Sequence, residues 1–147
     1  LVEGAFHGPV TDGRWARRLG VTSSGHAPPQ PSTQGPVVQQ LSLAPGPDSL
    51  EELIAGVEDG LFVSQLHYVN VSDPRDLLLT GTTRNGTFRI EGGRVTGPVQ
   101  NLRFTDSLIE ALTRVTGIGA TTQRAGASFE GECVTPALRI EGLRFTS

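Results

Sequence analysis

Three histidines and one cysteine are the side chains of this sequence best suited to bind a metal or perform catalysis. His7, His26 and His67 are separated by 19 and 41 positions, so no two of them have the i, i+4 spacing that places zinc ligands on one helical face. His67 lies in a strand-like run, where a histidine satisfied by its neighbours is the common case. We therefore predict no catalytic residue and no metal ligand among the histidines.

His26 and Cys133 are the two positions with a chemical alternative. His26 ends a compact polar turn, Ser23-Ser24-Gly25-His26, which we interpret as structural. Cys133 could bind a metal or act as a nucleophile, but a nucleophilic cysteine needs an activating base and cationic surroundings. Because Glu130 and Glu132 lie nearby and disfavour a thiolate, we interpret Cys133 as a bystander. A single cysteine also excludes an intramolecular disulfide and suits a reducing compartment.

Two acidic pairs and one glycine-rich run complete the candidates. Glu51-Glu52 and Glu58-Asp59 are adjacent in sequence, and adjacent positions on a helix do not face each other. The run Gly117-Ile118-Gly119-Ala120 lacks the lysine and hydroxyl of a phosphate loop and follows a predicted helix. We predict solvated charges for the acids and no nucleotide site at the glycines. The substrate-binding residues stay unknown.

Composition excludes some classes of function. The net charge is −3 and all 12 basic residues are arginine, and these alternate with apolar residues as on a solvated sheet face. Nucleic-acid binding is therefore not expected. No apolar stretch approaches the roughly 20 residues of a membrane span, and no secretory signal is visible, so we predict a cytoplasmic protein without a membrane partner. Because the chain begins with leucine and contains no methionine, we expect it to be part of a larger protein.

Two segments have the periodicity of helices. Ser49 and Glu52 form a capping box, and the apolar stripe that follows ends at Asp59-Gly60. A second helix is predicted to begin near Thr105 or Asp106 and to stop at the glycines of residues 117–119. The stripes consist of Leu50, Leu53, Ile54 and Val57 in the first helix and of Leu108, Ile109, Leu112 and Val115 in the second.

Most of the remaining sequence is predicted to form strands. These cover residues 61–71, 77–83 and 88–91, residues 95–104, and residues 137–146, with one possible strand at 36–43. A hairpin turn is predicted at Asn85-Gly86 and another turn at Gly92-Gly93. Residues 25–47 are rich in proline and form a predicted connector. The expected architecture is α+β, a mostly antiparallel sheet with about two helices, in one C-terminal domain spanning residues 1–147.

The order of several short motifs resembles the TldD/PmbA family, once called modulators of DNA gyrase and now understood as peptidases. Each motif is weak alone, but together they cover nearly the whole chain in the family's order. They are Ala16-Arg17-Arg18-Leu19-Gly20, Ser23-Ser24-Gly25-His26-Ala27, the helix and strand of residues 49–63, the glycine-rich residues 79–99, and Thr135-Pro136-Ala137-Leu138.

The resemblance implies a domain of a two-subunit zinc peptidase that acts on short or unfolded peptides. In the TldD branch a His-Glu-x-x-x-His helix and a cysteine hold the zinc. That helix is absent here, and Cys133 lies only three residues before Pro136, closer than the family's zinc-binding cysteine lies to its proline. The hairpin of residues 84–88 also resembles the metal-free TldE/PmbA branch. We therefore expect no cofactor in this chain, with zinc in a partner subunit or in the full-length parent.

Three functions stay open from the sequence. The first is the non-catalytic, TldE-like subunit of a heterodimeric metallopeptidase, with a TldD-like subunit or a second copy as partner. The second is part of a catalytically active, TldD-type zinc peptidase. The third is a non-enzymatic module linked to DNA gyrase, against which the acidic net charge counts.

Overall fold

The computed structural model describes residues 6–38, 40–125 and 132–147. Strands account for 48% and helices for 14% of the described residues, and four of the strand pairings are antiparallel. The predicted α+β class is therefore confirmed, with three short helices in the described ranges where about two were expected. No helix in the described ranges has the length and apolar character needed to cross a membrane.

The elements follow one another along the chain as short helices between longer strands. The helices are α1 (Gly13–Leu19), α2 (Leu50–Ala55) and α3 (Leu108–Thr113). The strands are β1 (Gln40–Ser42), β2 (Asp59–Asp73), β3 (Leu78–Glu91), β4 (Arg94–Pro98), β5 (Arg103–Ser107), β6 (Val115–Ala125), β7 (Glu132–Ile140) and β8 (Phe145–Thr146).

The chain divides into two compact units. The first unit contains residues 1–43 and 124–134, and the second contains residues 44–123 and 135–147. The strand order is β1-β7-β6 in one sheet and β2-β3-β5-β8 in the other, with β4 paired to β3. β1 is parallel to β7, and its Leu41 is in register with Cys133.

Helix α1 in the first unit was not predicted from the sequence. The Asp12 side chain caps it by accepting a hydrogen bond from the Trp15 backbone N–H, and Gly20 ends it in a left-handed conformation with φ 68°. Aspartate is a common N-cap residue, and a left-handed glycine commonly follows the last turn of a helix. The helix lacks a recognisable apolar stripe because Ala16 is the residue that it buries.

The core of the second unit joins α2 and α3 to the larger sheet. Its buried apolar side chains are Leu53 of α2, Ile90 of β3, Phe104 of β5 and Ala111 of α3. The Phe104 ring lies 6.4 Å from that of Phe145 in β8, at a tilted angle, which is a favourable aromatic pairing. Burial of these side chains from water stabilises the unit.

The capping box of α2 is confirmed. The Ser49 side chain accepts a hydrogen bond from the Glu52 N–H at 3.1 Å, and the Glu52 carboxylate accepts one from the Ser49 N–H at 2.8 Å. The helix ends at Ala55 with Gly56 as its C-cap. It is therefore shorter than predicted, and Asp59 and Gly60 already belong to β2.

The capping box makes a small part of the stability depend on pH. Hydrogen bonds from the Ser49 backbone and then from its hydroxyl lower the pKa of Glu52 below the ordinary 4.5. A group with a lowered pKa in the folded state adds stability above its unfolded pKa and loses it as the pH falls through its folded pKa. Protonation of Glu52 therefore contributes to the loss of stability as the pH falls below 4.5. We expect the variant Glu52→Gln to lose less stability over this pH range than the original protein, and urea denaturation of both proteins at several pH values measures the difference. An unchanged pH dependence would contradict it.

The second predicted helix begins later than expected. Thr105 and Asp106 lie in β5, which pairs with β3 through Thr80↔Thr105 and Leu79↔Asp106, so pairing within the sheet prevails over the helical periodicity. The predicted apolar stripe is also wrong, because α3 buries Ala111 while its larger apolar side chains are exposed. Residues 117–119, expected to stop the helix, lie within β6.

The Asn85-Gly86 hairpin is wrong as well. β3 runs without interruption through both residues, and its register with β2 jumps from Gln65↔Arg84 to Val63↔Thr87. Asn85 and Gly86, with φ 59° and 127°, therefore form a β-bulge opposite Ser64. The positive φ that favours a tight hairpin also favours a bulge, so the dipeptide alone does not distinguish the two.

The turn at Gly92-Gly93 is confirmed. Both glycines have positive φ, and the residues on either side, Glu91 and Arg94, pair across the hairpin, as in the two-residue turns that match strand twist. The strand predicted for residues 95–104 is split between β4 and β5, and the last predicted strand between β7 and β8. Of the strand predicted for residues 36–43, β1 covers Gln40–Ser42, residues 36–38 are not in a strand, and Gln39 lies outside the described residues.

Candidate functional site

The turn that contains His26 is a hydrogen-bonded cluster in the first unit. The Ser24 Oγ lies 2.9 Å from the His26 Nδ1 and accepts a hydrogen bond from the Thr11 N–H at 2.6 Å. The Ser24 hydroxyl also lies 3.1 Å from the Thr11 carbonyl oxygen, and the Thr11 hydroxyl accepts from the Ser24 N–H at 3.0 Å. Thr11 is 2% exposed and therefore belongs to the centre of this cluster.

These contacts bind the serine to the backbone of Thr11. The Ser24 hydroxyl donates to the Thr11 carbonyl and also contacts the His26 ring, where the tautomer of His26 decides which group donates. The His26 backbone N–H donates to the same Thr11 carbonyl at 3.1 Å. A serine nucleophile needs a base that takes its proton and an open line of attack. These hydrogen bonds hold the turn in place, and its structural role stays a prediction. Thr11 was missed because nothing near it in sequence marks it.

His67 contacts side chains of its own sheet. Its Nε2 accepts a hydrogen bond from an Arg84 guanidinium nitrogen across the β2–β3 pair, and the Tyr68 ring lies edge-on to it at 4.4 Å. This contact occupies one of the two ring nitrogens of His67. The arrangement supports a histidine satisfied by its neighbours.

Cys133 is half-buried in β7, and its strand neighbour Glu132 forms an ion pair with Arg124 at 2.9 Å. Glu130 lies outside the described residues. Within the described ranges, no three side chains among His, Cys, Asp and Glu come together as metal ligands. The described side chains therefore do not form the zinc site that the resemblance to the zinc-bearing branch implies.

One carboxylate of each acidic pair has a structural partner. Glu52 belongs to the capping box, and the Asp59 carboxylate pairs with Arg89 on the neighbouring strand. Glu58 contributes its backbone carbonyl, which accepts a hydrogen bond from the Gly92 N–H at 2.7 Å. These contacts stabilise the junction between α2 and β2.

The glycine-rich run packs against another part of the backbone. Gly46 N–H donates to the Gly119 carbonyl at 2.9 Å, and Asp48 N–H donates to that of Ile118 at 3.2 Å. A side chain on Gly117 would meet the Leu53 side chain at 2.6 Å. The glycines thus allow close contact between β6 and the segment of residues 46–48, which precedes α2.

Two buried threonines of β3 were also missed by the sequence analysis. Thr83 is 1% exposed, and its hydroxyl accepts a hydrogen bond from the Leu102 N–H at 2.9 Å. Thr87 is 2% exposed, and its Oγ1 has no hydrogen-bond partner in the described part of the chain. Threonine is common on exposed strand faces, so the sequence alone does not mark either residue as buried.

The two threonines should respond in opposite ways to replacement by valine. Thr87→Val removes a buried hydroxyl without a partner among the described residues and should raise the free energy of unfolding by about 1 kcal/mol. Thr83→Val leaves the Leu102 N–H without its acceptor and should lower it by about 1–2 kcal/mol. Urea denaturation followed by circular dichroism measures both. Equal losses in the two variants would show that the Thr87 hydroxyl has a partner in solution.

A family model and a curated relative both relate this chain to metallopeptidases. The family model described as the PmbA/TldA metallopeptidase C-terminal domain matches residues 1–147. A protein named "Metalloprotease" from Methanothermobacter thermautotrophicus is 28% identical over 119 residues, which are 80% of this chain and 25% of that protein. The chain thus spans about a quarter of the length of this curated relative.

Solved structures share the fold over most of the chain. TldE from Thermococcus kodakarensis has a TM-score of 0.79 and 25% identity, covering 98% of this chain and 32% of that one. A candidate modulator of a DNA gyrase from Thermotoga maritima has a TM-score of 0.70 and 17% identity, covering 90% and 28%. At that identity the second comparison establishes the fold alone.

Proposed function

Because the chain belongs to the PmbA/TldA metallopeptidase C-terminal domain family, we propose that it is the C-terminal domain of a non-catalytic, TldE-like subunit. In this proposal the subunit assembles with a zinc-bearing, TldD-like subunit into a heterodimeric peptidase of the cytoplasm. Its substrates are short or unfolded peptides. This chain shapes the binding surface and supplies no catalytic group.

The observation that carries the proposal is the likeness to TldE. It extends over 98% of the chain with a TM-score of 0.79 and 25% identity. The contacts of the described residues are compatible with it, since the side chains of Ser24, His26, His67, Glu52 and Asp59 all contact neighbouring groups.

The contribution of such a subunit to peptide binding is one of shape and backbone hydrogen bonding. An extended peptide binds a sheet edge by adding a strand, so its main chain gives affinity independent of sequence. Short or unfolded peptides present that main chain, whereas folded proteins have already paired theirs. The subunit would thus select substrates by their lack of structure.

Reconstitution of the two subunits tests the proposal. The full-length parent of this chain should have no peptidase activity alone on an unstructured peptide, and should gain it when the TldD-like subunit is added. A matched control adds the TldD-like subunit to a parent that lacks residues 1–147. Activity of the parent alone would contradict the proposal.

The second candidate is a parent that is itself a zinc peptidase. The observation in its favour is the 28% identity to the archaeal protein named "Metalloprotease". In that case zinc ligands would come from outside the described residues. Activity of the purified parent that a chelator abolishes and zinc restores would support this candidate over the first.

The third candidate is a module that modulates DNA gyrase. The name of the Thermotoga maritima structure suggests it, although the 17% identity supports only the shared fold. The net charge of −3 opposes contact with duplex DNA. A salt-dependent mobility shift with duplex DNA would favour this candidate.

A further inference from the structure

One eight-residue sequence occurs twice in the second unit, and each occurrence spans a turn at the end of a long strand. Residues 89–96, the first repeat, read RIEGGRVT, and residues 139–146, the second repeat, read RIEGLRFT. The first repeat joins β3 to β4, and the second joins β7 to β8. Gly92 and Gly142 occupy the same position of the two repeats and have φ 54° and 67°. Both repeats therefore leave their long strand through a left-handed glycine at the same position.

A capped helix and two strands precede the turn of each repeat. Helices α2 and α3 are both six residues long, and in each a serine N-cap accepts a hydrogen bond from the N–H of a glutamate three positions later, at 3.1 and 3.4 Å. The residue after that glutamate is the buried one of its helix. Strands β2 and β3 follow α2, and strands β6 and β7 follow α3. The corresponding residues are Ser49 and Ser107, Glu52 and Glu110, and Leu53 and Ala111.

Each turn is hydrogen-bonded to the end of its own helix. After α2, the Gly92 N–H donates at 2.7 Å to the carbonyl of Glu58, two residues beyond the helix C-cap. After α3, the Glu141 N–H donates at 3.0 Å to the carbonyl of Arg114, which is the helix C-cap. The Arg114 guanidinium donates in return to the Gly142 carbonyl at 2.7 Å. The turn that ends the second strand thus holds the end of the helix that precedes the first.

The two positions at which the repeats differ have separate physical reasons. At the fifth position, Gly93 of the first repeat has no space for a side chain, because a Cβ there would lie 2.8 Å from the Ala55 carbonyl oxygen. At the seventh position, Phe145 of the second repeat is in register with Phe104 of β5, and their ring centroids lie 6.4 Å apart. Strand β4 of the first repeat pairs with β3 instead. The differences therefore follow from the neighbours of each repeat.

We infer that the second unit contains two copies of one helix–strand–strand–turn motif, and that each copy opens as a separate cooperative unit. The copies are residues 49–98, and residues 107–123 with 135–146. The inference goes beyond the proposed function and does not depend on it. Similar alternation in two strands would not place the same cap, buried helical position and left-handed glycine in the same order. Local opening commonly follows such supersecondary units. Because each turn is bonded to its own helix, weakening one helix should release one turn alone.

Hydrogen–deuterium exchange of the full-length parent tests this inference. Ser49→Ala removes the cap of α2 and should make the backbone amides of Gly92 and Gly93 exchange about fivefold faster, while that of Glu141 exchanges as before. Ser107→Ala removes the cap of α3 and should have the opposite effect, with faster exchange at Glu141 alone. Mass spectrometry of peptides that cover each turn measures the two rates in the same sample.

Two kinds of control separate loss of the cap from loss of a serine. Ser49→Thr and Ser107→Thr keep a hydroxyl cap and should leave both turns near their original exchange rates. Ser72→Ala, at an exposed position of β2, should change neither turn. Equal acceleration of both turns by either cap variant would show a single cooperative unit and overturn the inference. Unchanged exchange at the turn that belongs to the altered helix would overturn it as well.

Discussion

Gly46→Ala is expected to lower the free energy of unfolding by about 3 kcal/mol, because a methyl group at this position has no space. Its Cβ would overlap the Ile118 carbonyl oxygen and would lie 2.6 Å from the Ile118 Cβ and 2.9 Å from its carbonyl carbon. Two of these three atoms are backbone, so no side-chain rotation relieves the contact.

The hydrogen bonds on either side of Gly46 prevent the two segments from separating. Gly46 N–H donates to the Gly119 carbonyl at 2.9 Å and Ala120 N–H donates to the Asp48 carbonyl at 2.6 Å. Relief of the overlap would break them, and each carries a net value of about 1 kcal/mol. The expected loss of stability combines the cost of these broken hydrogen bonds with the strain of the overlap that remains.

Gly97→Ala is the matched control. Gly97 lies in β4 and has no positive φ, and a methyl group added there would meet nothing within 4 Å beyond its chain neighbours. Its replacement should change the stability by less than about 0.5 kcal/mol. Urea denaturation followed by far-ultraviolet circular dichroism compares the two. Equal midpoints would show that the contact between residues 46–48 and 118–120 is not as close as described.

Arg114→Ala is expected to cost about 2–3 kcal/mol, because the arginine joins three acceptors. The guanidinium donates to the Asp106 carboxylate at 2.7 Å, to the Gly142 carbonyl at 2.7 Å and to the Glu110 carbonyl at 3.2 Å. The Asp106 side chain is 11% exposed. Removal of its partner leaves a largely buried carboxylate uncompensated, which costs more than the net value of the pair.

Arg89→Ala provides the comparison for Arg114→Ala. Arg89 pairs with Asp59 and Glu91, but these side chains are 42%, 68% and 60% exposed. Exposed ion pairs contribute about 0–1 kcal/mol, so this variant should lose less than about 1 kcal/mol. Arg114→Lys should recover only part of the stability, because a single ammonium does not reach three separate acceptors. A loss in Arg89→Ala equal to that in Arg114→Ala would contradict the account.

The sequence predicts best those elements that local chemistry determines. The capping box of α2 and the Gly92-Gly93 turn have signals within four residues of sequence, and both are found. The same kind of signal at Asn85-Gly86 gives a bulge, because the strands on both sides continue their pairing with β2. The residue types Asn and Gly favour positive φ at these two positions. Whether a turn or a bulge forms depends on whether the flanking residues continue to pair with the neighbouring strand.

Tertiary contacts decide the elements that the sequence misjudges. Residues 105–107 have helical periodicity with the segment that follows, yet they pair with β3. The glycines of residues 117–119 could end a helix, but they lie in β6 and allow close backbone contact with residues 46–48. These partners lie about 25–70 positions away, and no local pattern reports them.

The sequence predicts the candidate site less well than it predicts the fold. The polar turn at Ser24 and His26 could be identified from its residues, whereas Thr11, which binds it, could not. Hydrogen bonds across 13 positions define that cluster. The absence of a catalytic residue and of a metal ligand in this chain stays a prediction, since residues 126–131, close to Cys133 in sequence, lie outside the described ranges.

The zinc content of the full-length parent tests the central claim most directly. Protein purified without chelator, dialysed against metal-free buffer and measured by mass spectrometry should contain well below one zinc per chain, while the TldD-like subunit treated in parallel retains about one. Stoichiometric zinc in the parent alone, lost together with peptidase activity on chelation, would contradict the assignment to a non-catalytic subunit.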